Sequence, residues 1–178
     1  MATHLASMAV IKAAKEGDDA AFERLLEPLL DHAYRLANGL LHDHHAAEDA
    51  VQEASVKAWR KLGQLHEGSE MRPWFFAIVA NQCRSSMRSR WRSMVGPAQS
   101  EPSVEASDDE VLARVELRRS LRAMNEEKRL VLVLHYYLDL PIEEIAATIG
   151  LSPRGAETRL QRATNELKRR MEAHRGRS

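Results

Sequence analysis

The stretch PIEEIAATIGLSPRGAETRLQRATNELKRR, residues 141–170, sets two short helical patterns on either side of a glycine. Pro141 suits the opening of the first helix, because the first helical position has no use for an N–H. Ile142, Ile145, Ala146 and Ile149 lay an apolar stripe along one face. Gly150 supplies a left-handed stop, and Leu151 after it is free to pack back. Ser152 is a good N-cap, and Pro153 takes the first position of the next helix. That helix carries Ala156, Leu160, Ala163, Leu167 and Met171 at spacings of three and four. Its opposite face carries Arg154, Glu157, Thr158, Gln161, Arg162 and Asn165. An inner stripe thus holds the second helix on the first and turns the polar side chains outward. This is the layout of a helix-turn-helix, whose second helix enters the DNA major groove. The same pattern fits an ordinary helical hairpin, because a solvated face and a base-reading face look alike.

The rest of the chain narrows the choice. It has 178 residues, enough for one medium domain or two small ones. With 44% hydrophobic and 29% charged residues it reads as globular and soluble, and its few Gly and Pro favour helices. The formal net charge is zero, which excludes a strongly basic DNA binder but not a local basic patch. The one cysteine, Cys83, rules out an internal disulfide framework, suits a reducing cytoplasm, and falls on an apolar helix face. No apolar run reaches membrane-spanning length, and the N-terminus is not a signal peptide. The opening MATHLASM has a second methionine at Met8, so residues 1–7 are left out of the fold reading.

Residues 10–92 read as one helical block. Phe22, Leu25, Leu26, Leu29, Leu30, Ala33, Leu36, Ala37 and Leu40 repeat at helical spacing. In AAEDAVQEASVKAWRKL, residues 46–62, Ala50, Val51, Ala54, Ala58, Trp59 and Leu62 share one side. MRPWFFAIVANQCRSSMRSRWR, residues 71–92, begins apolar and ends basic. Residues 95–110 then hold two prolines, three serines and five acids without apolar periodicity. We read residues 93–110 as a flexible acidic linker. Helical patterns resume over 111–175, and VLVLHYY fits a buried helix better than a strand without a partner. The expected fold is all-α: two small helical domains, the second a four-helix helix-turn-helix domain, joined by the linker. Acids near Glu48 and bases after Cys83 and Arg154 leave room for separate protein-facing and nucleic-acid-facing surfaces; the alternative is that they are simply solvated helix faces.

Four stretches in order carry a resemblance: EGDDAAFERLL, AAEDAVQEASVKAW, MRPWFFAIVANQCRSSMRSR, and MNEEKRLVLVLHYYLDLPIEEIAATIGLSPRGAETRLQRA. Together they resemble the extracytoplasmic-function (ECF) sigma factors, the smallest initiation subunits of bacterial RNA polymerase. The resemblance covers about residues 16–92 and 111–172. It implies a first domain at 10–92 that binds core polymerase and the −10 promoter element, and a second at 111–175 that binds the −35 element. It implies a cytoplasmic transcription factor that assists promoter melting, is not an enzyme, and needs no cofactor. Its implied partners are core polymerase, promoter DNA and an anti-sigma factor, with no membrane insertion and no small-molecule substrate.

The resemblance also implies site residues. Glu48, Asp49, Gln52 and Glu53 form an acidic flank for docking on a coiled coil of the largest polymerase subunit; charge complementarity steers such docking more than it adds affinity. Reading −10 DNA needs cations for phosphate, a pocket for an unstacked base, and polar groups for its edge. Arg84, Arg88, Arg90 and Arg92 supply charge, and Gly63–Glu70 with Met71 and Trp74 supplies a pocket wall. Asn81 matches a base-reading position, where its amide both donates and accepts. Ser85 and Ser86 stand where the family usually has an acid, while Trp74 and Phe75 also fit a plain core role. In the second helix of the opening stretch, Arg159 and Leu160 fit the family's run. Glu157 replaces a usual cation, so either the −35 sequence read is expected to be unusual or affinity to lean more on the −10 domain. Arg154, Glu157, Thr158, Arg159, Gln161 and Arg162 make up the expected −35 face.

Two rivals differ in kind. A helix-turn-helix regulator acting without polymerase would usually dimerise on a palindrome. An enzyme or metal protein finds only His42, Asp43, His44 and His45 as candidate ligands. Adjacent helical residues point in different directions, and no distant ligand set matches them.

Overall fold

The computed structural model describes residues 2–66, 68–93 and 108–175, with side chains over 9–66, 68–89 and 113–173. The expected linker, 93–110, lies mostly outside the described residues. Its last part is helix, since α5 begins at Asp108. The first residues of α5 are Asp108, Asp109 and Glu110.

All regular structure among the described residues is helical. α1 spans Ala2–Lys15 and α2 spans Asp19–Leu41. Asp18 caps α2, its carboxylate accepting from the Ala21 N–H at 3.0 Å. α3 spans His44–Lys61, capped in the same way by Asp43, which accepts from the Ala46 N–H at 2.9 Å. A 3₁₀ turn over Leu62–Gln64 follows, and α4 spans Met71–Ser93. The inner faces of α2, α3 and α4 bury Phe22, Leu36, Ala47, Ala54, Phe75, Phe76 and Val79. Alanine at 46, 47, 50, 54 and 58 lets α3 lie close against its neighbours. Trp59 departs from the inward side expected of it: it is 37% exposed and meets the Phe22 ring edge-on at 5.0 Å. Leu30 is 37% exposed as well.

The second bundle starts with α5, Asp108–Arg122, and α6, Glu126–Leu132. Asn125 caps α6 by accepting from the Glu127 N–H at 2.9 Å. α6 runs on into a π-helical turn, Val133–Tyr137, so VLVLHYY is helical with a widened last turn. α7 spans Ile142–Ile149 and α8 spans Pro153–Arg175. Pro141 caps α7 rather than opening it. Gly150 takes φ 69°, and the Leu151 N–H donates to the Ala146 carbonyl at 3.0 Å. The Ser152 hydroxyl accepts from the Gly155 N–H at 3.2 Å. Leu151 packs back only in part and stays 36% exposed.

The two bundles do not stand apart. α4 packs against α7, and α2 against the π turn. Buried side chains form one cluster running through both bundles. At the crossing with the π turn, Gly39 has no side chain to spare: a Cβ there would meet Val133 Cγ1 at 2.9 Å. Arg35 donates to the Tyr137 carbonyl at 2.6 Å and lies 5.0 Å from the centre of its ring.

Candidate nucleic-acid and polymerase interfaces

The α8 face expected to read DNA is presented as the spacing requires. Ala156 and Ala163 are fully buried, with Leu160 and Leu167 partly buried beside them. Arg154, Glu157, Thr158, Gln161, Arg162 and Asn165 are all exposed. The Thr158 hydroxyl donates to the Arg154 carbonyl at 2.8 Å, and the Gln161 amide nitrogen to Asn165 Oδ1 at 3.3 Å. Arg159 departs from this exposed row. It turns toward α6 and pairs with Glu127 at 3.2 Å. A cleft beside the start of α8 is lined by Asn125, Lys128, Ser152, Arg154, Arg159 and Arg162, and its cations suit a phosphate backbone. Lys128 of α6 anchors the far half of α8 through the Glu166 carboxylate at 2.6 Å, which also pairs with Arg170 one turn on along α8 at 2.9 Å. Those two hydrogen bonds, Lys128 first, hold the Glu166 carboxyl below its ordinary range.

On α4, Phe75 is buried and Trp74 partly so, packed against the core. Asn81 and Ser85 are exposed on the polar side with Arg88. Arg84 donates to Asn81 Oδ1 at 2.8 Å and pairs with Glu126 of α6 at 3.2 Å. The side chains of Arg90 and Arg92 lie outside the described residues. Met71, at the end of the loop proposed as a pocket wall, is buried; of that loop, Glu67 lies outside the described residues. Cys83 is buried beneath α4, where desolvation pushes its thiol up to about 12, the setting of an inert core residue.

The acidic flank is open to solvent: Glu48, Asp49, Gln52 and Glu53 are all exposed on α3. Val56, 47% exposed, extends the same face with apolar surface. The flank's acids point away while the alanines of α3 face the core.

The histidine run is divided among separate tasks. His42 ends α2 in the left-handed conformation, at φ 53°. His44 Nδ1 lies 2.5 Å from the Tyr34 hydroxyl, and His45 lies 3.9 Å from Glu48. Among the described residues, no three His, Cys, Asp or Glu side chains come together as a metal site. No described helix is long and apolar enough to cross a membrane.

What sequence reasoning missed is the contact between the bundles. Arg72 on α4 grips Glu144 on α7 through both carboxylate oxygens, with Nε donating to Oε2 at 2.7 Å. Arg129 of α6 is 6% exposed and donates to Met87 Sδ at 3.1 Å. The one local signal was an arginine heading an otherwise apolar run, RLVLVL at 129–134.

Comparison with known proteins agrees with this arrangement of helices. The family "Sigma-70 region 2" matches residues 24–93, and "Sigma-70, region 4" matches residues 114–167. The ECF RNA polymerase sigma factor SigL of Mycobacterium tuberculosis is 31% identical over 162 residues, covering 85% of this chain and 92% of SigL. The probable RNA polymerase sigma factor RfaY of Xanthomonas campestris pv. campestris is 30% identical over 173 residues, covering 89% of this chain; the chain spans 43% of RfaY's length. Among solved structures, the sigma factor RpoE in complex with the anti-sigma factor NepR from Bartonella quintana is similar. It is 26% identical with a TM-score of 0.65, over 85% of this chain and 96% of that one. Region 2 on α2–α4, region 4 on α5–α8, and likeness to SigL over 85% of this chain place it: it belongs to the ECF sigma factors of the sigma-70 family.

Proposed function

We propose that the protein is an alternative sigma factor that docks on core RNA polymerase, directs it to promoters and assists melting. The observation that carries the reading is the α8 face: six exposed polar residues, from Arg154 to Asn165, backed by buried Ala156 and Ala163. Glu157, Thr158 and Gln161 meet base edges of the −35 element. Arg154, Arg159 and Arg162 hold phosphate, which positions the helix without specifying sequence. On α4, Asn81 reads an unstacked −10 base, flanked by Trp74 and Ser85, with Arg84, Arg88 and Arg90 on the backbone. Glu48, Asp49, Gln52 and Glu53 dock on polymerase. The chemistry of initiation stays with polymerase; this chain supplies DNA binding energy and acts in the cytoplasm. The likeness to RpoE, solved with an anti-sigma factor, makes a partner of that kind the natural regulator.

Selection from a promoter library randomised at −35 tests the reading. Polymerase carrying the wild-type chain selects a defined sequence. Glu157→Arg selects a different one, because a carboxylate that accepts from a cytosine amino group becomes a cation that donates to guanine, a switch worth about 1–3 kcal/mol per base contact. Identical selections, or none, overturn it.

A further inference from the structure

α5 carries its arginines in a row. Arg114, Arg118 and Arg122 stand four residues apart on one stripe of the helix, with Arg119 beside them. Arg114, Arg119 and Arg122 are exposed and Arg118 is half-buried, while Ser120, on the opposite face, is buried in the bundle. Among the described side chains of α5 the one acid is Glu116, well round the helix from the row. Arginines elsewhere are matched with carboxylates: Arg24 with Asp18, Arg84 with Glu126, Arg159 with Glu127 and Arg170 with Glu166. Among the described residues no ion pair joins any of the four on α5. Arg154 and Arg162, the exposed arginines assigned above to phosphate, share that property. Like charges four apart on a helix oppose one another, so the row gains from an anion brought to it. The positive field reaches past the helix end. Burial first, and then Arg122, Arg129 and Arg118, lowers the pKa of His42 at the end of α2. Three residues past Arg122, Asn125 joins Lys128, Arg154 and Arg162 in lining the cleft at the start of α8. The row therefore begins beside the −35 face, on a helix packed against α8.

We propose that the arginine row of α5 is a separate binding surface for the DNA phosphate backbone, gripping duplex beside the −35 element without reading its sequence. The proposal rests on the assignment of α8 as the −35 reader. From Arg114 to Arg122 the helix rises about 12 Å, at about 1.5 Å per residue. That is the axial length of about three to four phosphates on one strand, at about 3.4 Å each. The guanidinium fork suits phosphate oxygens, and its charge persists at any working pH. The choice of nucleic acid over an acidic protein follows from the division of charge. α3 presents the acids that suit a basic protein surface, whereas α5 presents the opposite sign in the bundle that meets DNA. Contacts of this kind position a duplex and add affinity without specifying a base.

The test measures binding of polymerase carrying the full chain to a promoter fragment taken from the −35 selection, across a salt series. Arg114→Gln with Arg118→Gln removes two cations from the row. Lys12→Gln with Arg24→Gln removes two exposed cations from the first bundle and serves as the control. Each phosphate contact adds about 0.9 to the slope of log affinity against log salt. The expected result is a slope shallower by about 1.8 for the α5 pair, with weaker binding on every −35 sequence alike, and an unchanged slope for the control. Arg114→Lys with Arg118→Lys keeps the charge and restores the slope, which separates charge from packing. Uncharged methylphosphonates in the duplex flanking −35 reduce the wild-type slope and leave that of the α5 pair nearly unchanged. An α5 pair with the wild-type slope, or one that selects a different −35 sequence, overturns the proposal. Weaker co-purification with core polymerase at an unchanged slope puts a protein on this row and overturns it as well. A wild-type chain that selects no −35 sequence refutes the assignment beneath it.

Discussion

Arg72 and Glu144, on helices from different bundles, form a two-oxygen ion pair that joins α4 to the first helix of the helix-turn-helix. The side chains remain 37% and 21% exposed, so the pair sets the orientation of the bundles more than it stabilises them. Glu144→Arg places two cations in contact and swings the bundles apart. The measurement is the radius of gyration of the free chain by small-angle scattering, which increases. Adding Arg72→Glu restores the pair with reversed polarity and returns the compact value; a double variant as expanded as the single one contradicts this role.

His42 makes the same interface sensitive to acid. Burial, with Arg122, Arg129 and Arg118 nearby, lowers its pKa from 6.5 to about 4. Its Nε2 is buried and has no hydrogen-bond partner among the described residues. The unfolded chain takes up a proton near pH 6.5 and the folded chain only near 4. This group therefore costs no stability above about 6.5, lowers stability progressively as pH falls from 6.5 to about 4, and levels off below that. The loss is about 2 kcal/mol, the full linkage value being reduced by screening at a half-buried ring. Urea unfolding between pH 7 and 4 measures it, and His42→Gln flattens that part of the profile.

Gly150 sets the angle between α7 and α8 with φ 69°, and among the described residues nothing lies within 4 Å of where a Cβ would sit. Gly150→Ala therefore meets no clash and costs backbone strain alone, about 1 kcal/mol. The expected fall in Tm is about 2–4 °C. A much larger fall would mean that the turn is held by contacts other than its own conformation.

Asp49→Lys with Glu53→Lys reverses the exposed α3 flank without touching its buried alanines. Helical circular dichroism stays unchanged, and core polymerase binds about tenfold more weakly, chiefly through slower association. Unaltered binding at moderate salt removes α3 from the docking surface.

Local patterns in the sequence foretold what is local in the fold. The three- and four-residue spacing of Ala156, Leu160, Ala163 and Leu167 orients α8, and Gly150, Ser152 and Pro153 mark its turn. Cys83 fell where the apolar face of α4 placed it. Contacts between the bundles were not legible, because helical periodicity reports which face is buried and not against what. Arg72 and Glu144 are 72 positions apart, and each alone looks like surface charge. Gly39 looks like a weak point inside α2 until Val133 and Tyr137 are seen against it. Arg159 was placed with the outward arginines, yet its guanidinium turns back to Glu127, since a long flexible side chain follows the nearest carboxylate. The acids at 108–110 were read as linker because charge without apolar spacing suits both a tether and a helix start.

The most direct test of the sigma-factor assignment is run-off transcription with purified core polymerase on fragments of the source genome, with and without this chain. The account predicts discrete transcripts that appear only when the chain is added and that are lost with Asp49→Lys plus Glu53→Lys. The same transcripts from core alone, or none with the chain present, would contradict it.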